Sequence, residues 1–598
     1  LTMIISERIS GLREEMKKYQ IDAYLITGTD PHLSEYIPYR WKTREWISGF
    51  SGSYGRVLVT MDDALLWTDT RYFIQAAEEL IGSGISLMKD RVPGAVSVEE
   101  WVLKNLEPGN KFAFDGSTIS TAEAFRLTSI LTANGITIEA DHDLVGPIWL
   151  DRPIQSDSTA YEFPLNYAGK SRTERFDMVR KALLVKNLDS TVISLLDDLA
   201  WLFNLRGNEI EYTPLVSAYG YIDSDNVWLF INPERLETDF RNTLEVEGVI
   251  IRPYTDFYSF LSRLANKRIQ IDPIRTNFMV TRSLSDRNET DTSVAVVTKL
   301  KAVKNSHEIE NIRNAHVKDG TAMVYSLYWL NQVVGEGNIT EITVGKKLNE
   351  FRMKQPLFMG DSFHPIVGFG AHGAIVHYHA TDQTNVSISP DNLLLIDSGG
   401  QYLDGTTDIT RTISLGTPTK KQREDFTCCL KAHIALATAQ FPIGTKGHSL
   451  DSIARKPLWD KGINYGHGTG HGIGYFLSVH EGPMSIRTEY NEEPISEGHL
   501  LSNEPGIYRE GEYGIRIENV LICKRSSYVE FGEFLCFETV SLCPIDKHLI
   551  VSELLSAEEL NWVNHYHETV LQKLSPHIPD NEVLEWLNIQ CSPLHLPD

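Results

Sequence analysis

Between Leu394 and Ile522 the chain places charged side chains on, or at the ends of, runs that read as buried strands, and this conflict restricts the fold more than any other feature. Leu393-Leu394-Leu395-Ile396 reads as a short apolar strand that Asp397 ends at Ser398-Gly399-Gly400. The β-branched, alternating run from Thr406 to Ser414 reads as the returning strand with Asp408 on it, so the two carboxylates face each other across a hairpin. Gly466 to Gly474 then packs His467 and His471 among glycines, which let backbones approach closely and make poor core. Leu500-Leu501-Ser502-Asn503 runs into Glu504 and a Pro505-Gly506 turn. Ile515 to Val520 alternates with period two, so Arg516 and Glu518 share one face and Ile515 and Ile517 the other. Arg516 therefore points into the same site as Glu518.

A lone Asp at a strand end is ordinarily a turn former, and a lone His beside glycine a loop residue. Several carboxylates on buried strands are different: they are costly to desolvate, repel one another, and need a cation to offset both effects. Asp397, Asp408, His471, Glu504 and Glu518 are all hard oxygen or imidazole donors, with no thiolate among them. That set suits two divalent ions such as manganese, cobalt or zinc rather than a structural zinc.

The run from Asp397 to Arg411, His467-Gly468-Thr469-Gly470-His471, Asn503-Glu504-Pro505-Gly506 and Gly514 to Asn519 resemble the catalytic domain of the aminopeptidase P family, the X-prolyl aminopeptidases. The resemblance extends over nearly the whole chain and is greatest to the three-domain, eukaryotic-type cytosolic form. It implies a pita-bread catalytic fold with metals between two pseudo-symmetric halves. It also implies that Asp397 chelates one ion, that Asp408 and Glu518 bridge, and that His471 and Glu504 complete the other, with manganese first and zinc or cobalt as alternatives. Glu504 resembles the family's general base, and a hydroxide bridging the two ions is the implied nucleophile. His377, His467 and His480 match positions that contact substrate or stabilise the tetrahedral intermediate, and Arg516 matches the arginine beside the bridging glutamate. The implied substrates are peptides with proline at position two, and the implied assembly is a homodimer. One departure stands out: the family reads His-Tyr followed closely by Pro, whereas this chain reads His377-Tyr378-His379-Ala380-Thr381.

At 598 residues the chain is too long for one core. Ser6 to Gln20 opens it as an amphipathic helix rather than a signal peptide, followed by strands at Ala23–Thr27, Val57–Thr60 and Ala64–Thr68 and a helix at Tyr72–Leu80. After a loop at Pro153 to Asn166 the theme repeats, with a helix at Thr173–Val185 and strands at Ser190–Ser194, Val227–Ile231 and Val249–Arg252, which points to an internal duplication. Lys299 to Val303 reads as a strand feeding the last domain. Asn305 and Glu308 form an N-cap signal for a long helix, a second long helix spans Lys421 to Gln440, and helices at Ser556–Leu574 and Asn581–Ile589 end the chain. The expected fold class is α/β (α+β): two similar creatinase-like α/β domains, residues 1–152 and 153–304, then a pita-bread metallopeptidase domain with a C-terminal helical extension, residues 305–598.

The balance of 56 basic against 80 acidic residues gives a net charge of −24, which argues against nucleic acid or an anionic membrane as partner. Six cysteines without Cys-x-x-Cys spacing fit a reducing, cytoplasmic setting. Trp67 to Phe73 resembles part of the family's first domain; its aromatics read as core, and a substrate contact by Asp69 or Arg71 is the less favoured reading. Two alternatives accompany the main reading. A prolidase shares the catalytic domain but is usually a two-domain chain, and an inactive pita-bread binding protein would lack the ligands that this chain keeps.

Overall fold

The computed structural model describes residues 3–528 and 530–595. It divides into two units, one of residues 1–165 and 170–300 and the other of residues 166–169 and 301–598.

The first unit carries two six-stranded sheets built to one plan. In the first sheet, β1 (Ala23–Ile26), β2 (Arg56–Thr60), β3 (Ala64–Thr68), β4 (Ser86–Lys89), β5 (Lys111–Phe114) and β6 (Thr137–Glu139) lie in the order β4-β3-β2-β1-β5-β6. In the second, β7 (Ser190–Ile193), β8 (Tyr219–Asp223), β9 (Val227–Phe230), β10 (Val249–Arg252), β11 (Arg268–Gln270) and β12 (Glu289–Asp291) lie in the order β10-β9-β8-β7-β11-β12. Both sheets have antiparallel pairing through their first three strands and parallel pairing elsewhere. Shared order and shared direction make the duplication structural as well as sequential.

The central strand β1 is apolar on both faces because both faces are covered. Along β1, Tyr24 and Ile26 join the cluster that takes Ile9, Leu12 and Met16 of the helix Ile5–Lys18. Ala23 and Leu25 join Ala124, Leu127 and Leu131 of the helix Thr121–Ala133 on the other side.

Residues 299–303 are not a strand; residues 299–302 belong to the helix Val296–Ala302, which ends before Val303. The alternation Lys-Leu-Lys-Ala-Val imitates a strand over five residues, too short a window to separate the two periods. Buried Val296 and Val297 extend the apolar pattern backwards into a helical one, and the Val296 N–H donates to Gln270 Oε1 at 2.9 Å.

In the second unit, Asn305 and Glu308 form the expected capping box on the helix Ser306–Val333. A second such box, Thr419 with Gln422, opens the helix Lys420–Ala437. Each long helix is followed by a shorter one, Glu341–Met353 or Gly447–Trp459, and then by strands, so the two halves repeat each other. The C-terminal helices Ala557–Leu574 and Asn581–Gln590 bury Val563, Tyr566, Val570 and Leu587 in the main core, with Trp562 and Trp586 packed against it. No described helix is long and apolar enough to cross a membrane.

Candidate active site

Asp397 lies within the strand Leu393–Ser398 rather than at its end, paired with Ile366 on one side and Thr410 on the other. Asp408 is off the ladder, in the gap between the strands Gly405–Thr406 and Ile409–Ser414, so the single run expected over 406–414 is interrupted there. Glu504 occupies the turn between Leu500–Asn503 and Gly506–Arg509, and Glu518 the break between Tyr513–Arg516 and Asn519–Arg525. Interruptions are what free these carboxylates: a residue held in regular pairing has its side-chain direction fixed by the pleat, whereas one at a break can turn toward a common point.

Ligand atoms of Asp408, His471 and Glu518 lie within 4.8 Å of one another. His471 Nε2 is 3.3 Å from Asp408 Oδ2 and 3.4 Å from Glu504 Oε1. Its Nδ1 lies 2.9 Å from the Gly472 carbonyl, which can only accept, so Nδ1 carries a proton and the lone pair of a neutral ring sits on Nε2, facing the carboxylates. Asp397, Asp408 and Glu518 are 7%, 3% and 1% exposed, whereas the side chains of His471 and Glu504 are 20% and 18% exposed. Three carboxylates thus form the floor, and the imidazole and the fourth carboxylate form the open side.

Arg516 organises that floor. Its guanidinium donates to Asp397 Oδ2 at 2.7 Å, to the Tyr508 hydroxyl at 2.8 Å, to Thr410 Oγ1 at 3.3 Å and to the Val376 carbonyl at 3.4 Å. Thr410 in turn donates to Glu518 Oε2 at 2.6 Å. His467 Nδ1 lies 2.7 Å from the Gly468 carbonyl, so its Nε2 accepts from Tyr508 at 2.7 Å and is tied through that hydroxyl to Arg516. The His480 ring meets His471 edge to face at a centroid distance of 4.3 Å. His377 follows Val376, on a loop pressed against the strand Tyr513–Arg516: a Cβ on Gly514 would come 1.6 Å from the Gly373 carbonyl oxygen, so only glycine permits that approach. Asp69 and Arg71 belong to the first unit, where Arg71 pairs with Asp69 at 2.8 Å.

Burial, with the neighbouring Asp408 and Asp397 adding to it against the opposing charge of His471, pushes the Glu504 carboxyl up to about 7. Burial also raises Glu518 and Asp397, with the surrounding carboxylates as further causes. Burial works against a charged His471, but the hydrogen bond to Asp408 and the charge of Glu504 outweigh it and raise the ring to about 9. The buried Asp397 Oδ1 has no hydrogen-bond partner. Crowded carboxyls displaced toward protonation and an orphaned carboxylate oxygen fit a divalent cation, which relieves both conditions.

Sequence reasoning passed over Tyr508, Thr410 and Ser502. Thr410 was accessible through period two, since Asp408, Thr410 and Thr412 share one face. Ser502 Oγ donates to Glu504 Oε1 at 3.2 Å and accepts from the His471 N–H at 3.0 Å.

Residues 310–525 match metallopeptidase family M24, residues 8–143 and 151–308 each match a creatinase/prolidase N-terminal domain, and residues 533–594 match the C-terminal region of peptidase M24. A probable Xaa-Pro aminopeptidase P of Laccaria bicolor is 38% identical over 609 residues, spanning 99% of this chain and 94% of that protein. The chain belongs to the Xaa-Pro aminopeptidase P family. A second probable Xaa-Pro aminopeptidase P, from Paracoccidioides brasiliensis, is 39% identical and is covered over its whole length. The crystal structure of an X-prolyl aminopeptidase from Caenorhabditis elegans, described as a cytosolic enzyme with a di-nuclear active site, superposes with a TM-score of 0.95 at 33% identity, covering 99% of this chain and 100% of that one. This Xaa-Pro aminopeptidase P family member is therefore a metallopeptidase with two creatinase-type domains ahead of a pita-bread domain. Full-length likeness to Xaa-Pro aminopeptidases P does not favour the prolidase alternative.

Proposed function

We propose that this protein releases the N-terminal residue from peptides whose second residue is proline, using two divalent cations held by Asp397, Asp408, His471, Glu504 and Glu518. The observation that carries this reading is the convergence of a buried floor of three carboxylates with one imidazole and a fourth carboxylate on its open side. Manganese is the first choice for so hard a donor set, with zinc or cobalt as alternatives. The di-nuclear site described for the Caenorhabditis elegans relative supports the number two. When bound, such a pair supplies a nucleophile from water near neutral pH.

The chain's own groups do the rest. Glu504, on the open side of the site 3.4 Å from His471 Nε2, takes a proton and passes it to the leaving nitrogen. That step matters here because an X-Pro amide nitrogen carries no hydrogen of its own. His480, beside His471, and His377, beside the Val376 carbonyl that Arg516 holds, donate N–H groups to the developing oxyanion or to substrate. His467 borders substrate and is held by Tyr508, and Arg516 keeps Asp397 charged and in place. The domain limits 1–152, 153–304 and 305–598, a homodimeric assembly and a cytoplasmic location complete the proposal; the cytosolic relative supports the last.

Comparing kcat/KM for Arg-Pro-Pro, Gly-Pro and Arg-Ala-Pro tests the reading. Arg-Pro-Pro is the expected best substrate, Gly-Pro slower and Arg-Ala-Pro hardly cut. Preference for Gly-Pro would make the enzyme a prolidase, and comparable cleavage of Arg-Ala-Pro would remove the proline requirement.

A further inference from the structure

The departure at His379-Ala380-Thr381 brings two imidazoles together outside the catalytic floor. His379 Nδ1 lies 3.1 Å from His364 Nδ1, with ring centroids 4.6 Å apart and planes crossing at 78°. Both side chains are exposed. Both also hang from segments bordering the catalytic site: His379 is two residues beyond His377, and Ile366, two residues beyond His364, pairs with Asp397. Beneath the pair, Ile366 and Tyr378 are buried in one cluster with Leu395, so the two segments are fixed against each other by a common core.

We infer that His364 and His379 form a separate binding site, at the rim of the catalytic site, for a divalent cation that prefers imidazole: nickel, copper or zinc. Zinc–imidazole bonds of about 2.0–2.1 Å place two nitrogens about 3.3 Å apart on a tetrahedral ion and about 2.9 Å apart at a right angle. The observed 3.1 Å lies between these values, so little movement is needed. Without a cation, one Nδ1 must donate and the other accept. His364 Nδ1 also lies 3.0 Å from the Pro365 carbonyl, which makes His364 the donor.

A cation takes the place of that shared proton, which moves to Nε2 of His364 in its other tautomer; both rings stay neutral and the site gains the charge of the ion. Two imidazoles without thiolate or carboxylate in the first contact select nickel, copper or zinc over manganese. With the remaining positions filled by water, the ion exchanges more readily than one in the five-donor site.

Nickel tests this without calling on activity. The enzyme carrying its catalytic metals is dialysed against increasing nickel, and bound nickel per chain is compared with that of His364→Ala, His379→Ala and the double variant. Exposed positions make these substitutions compatible with folding. The wild-type chain should bind one more nickel than the double variant, and each single variant should weaken that extra site at least tenfold. Equal nickel binding by wild type and double variant would overturn the inference, as would a His364→Ala variant that keeps full affinity.

Discussion

Arg516 donates to Asp397 Oδ2 at 2.7 Å from a strand end 119 residues away in sequence, and both groups are buried. The same guanidinium reaches Tyr508 and Thr410, so one cation orders the floor of the site before any metal enters. Breaking a buried pair by removing one partner costs about 3–5 kcal/mol, because the remaining charge is uncompensated. Arg516→Ala should therefore destabilise metal-stripped protein by about that much and metal-loaded protein by clearly less, since bound cations compensate Asp397. Urea unfolding of both forms checks this. Equal costs in the two forms would mean that Asp397 does not face a metal.

His377 and His480 are expected to act on the transition state rather than hold metal. Alanine at either should lower kcat by roughly tenfold to a thousandfold, the range for losing a single electrostatic donor. Metal content should be unchanged. Rate and metal lost in proportion would make them ligands.

The C-terminal helix Ala557–Leu574 should support the site from behind. Its Tyr566 hydroxyl accepts from Arg411 at 2.8 Å, and Arg411 donates to the Glu518 carbonyl at 2.7 Å and to Asn519 Oδ1 at 2.8 Å. Tyr566→Phe leaves a buried guanidinium short of one acceptor, a loss of about 1–3 kcal/mol. Activity measured well below the unfolding temperature should fall with it, through weaker holding of Glu518. Lower stability with unchanged kcat would confine Tyr566 to packing.

Acid should destabilise the catalytic unit through buried neutral histidines. Burial, with Arg411 or Lys304 nearby as the next cause, lowers His433 and His499 to about 3; burial, with Lys547 and Arg411 following, lowers His567 to about 4. Each has a ring nitrogen that accepts a hydrogen bond: His433 from Asn519, His499 from the Ser496 N–H and His567 from the Ile545 N–H. The unfolded chain binds a proton at each below about pH 6.5 while the folded chain does not, so their stabilisation is complete above that pH and is lost as pH falls toward the folded values. The slope is about 1.4 kcal/mol per pH unit for each. Unfolding free energies between pH 7 and pH 5 should fall, and less so in His499→Gln. An unchanged slope in that variant would contradict the assignment.

The proposed five-donor set is legible because Asp397 and Glu504 end apolar runs, Asp408 and Glu518 sit in alternating strand patterns and His471 sits among glycines, so the energetic conflict of a buried carboxylate is visible in one dimension. Arg516 and Glu518 were placed together by period two, and they do meet at Thr410. The capping boxes at Asn305 and the repeat in the first unit were legible for the same local reason. Tyr508 was not, because its role rests on Arg516 and His467, which come from other segments. The helices Glu341–Met353 and Gly447–Trp459 were passed over because their burial depends on partners distant in sequence. Residues 299–303 misled through a pattern shorter than either period can resolve.

The most direct test of the account is the metal content of the untreated protein measured alongside its turnover of Arg-Pro-Pro. Elemental analysis should find about two divalent ions per chain, and chelation should abolish turnover reversibly. Asp408→Ala and Glu518→Ala should lose both metal and activity. Full activity in a metal-stripped sample, or in either variant, would contradict the account.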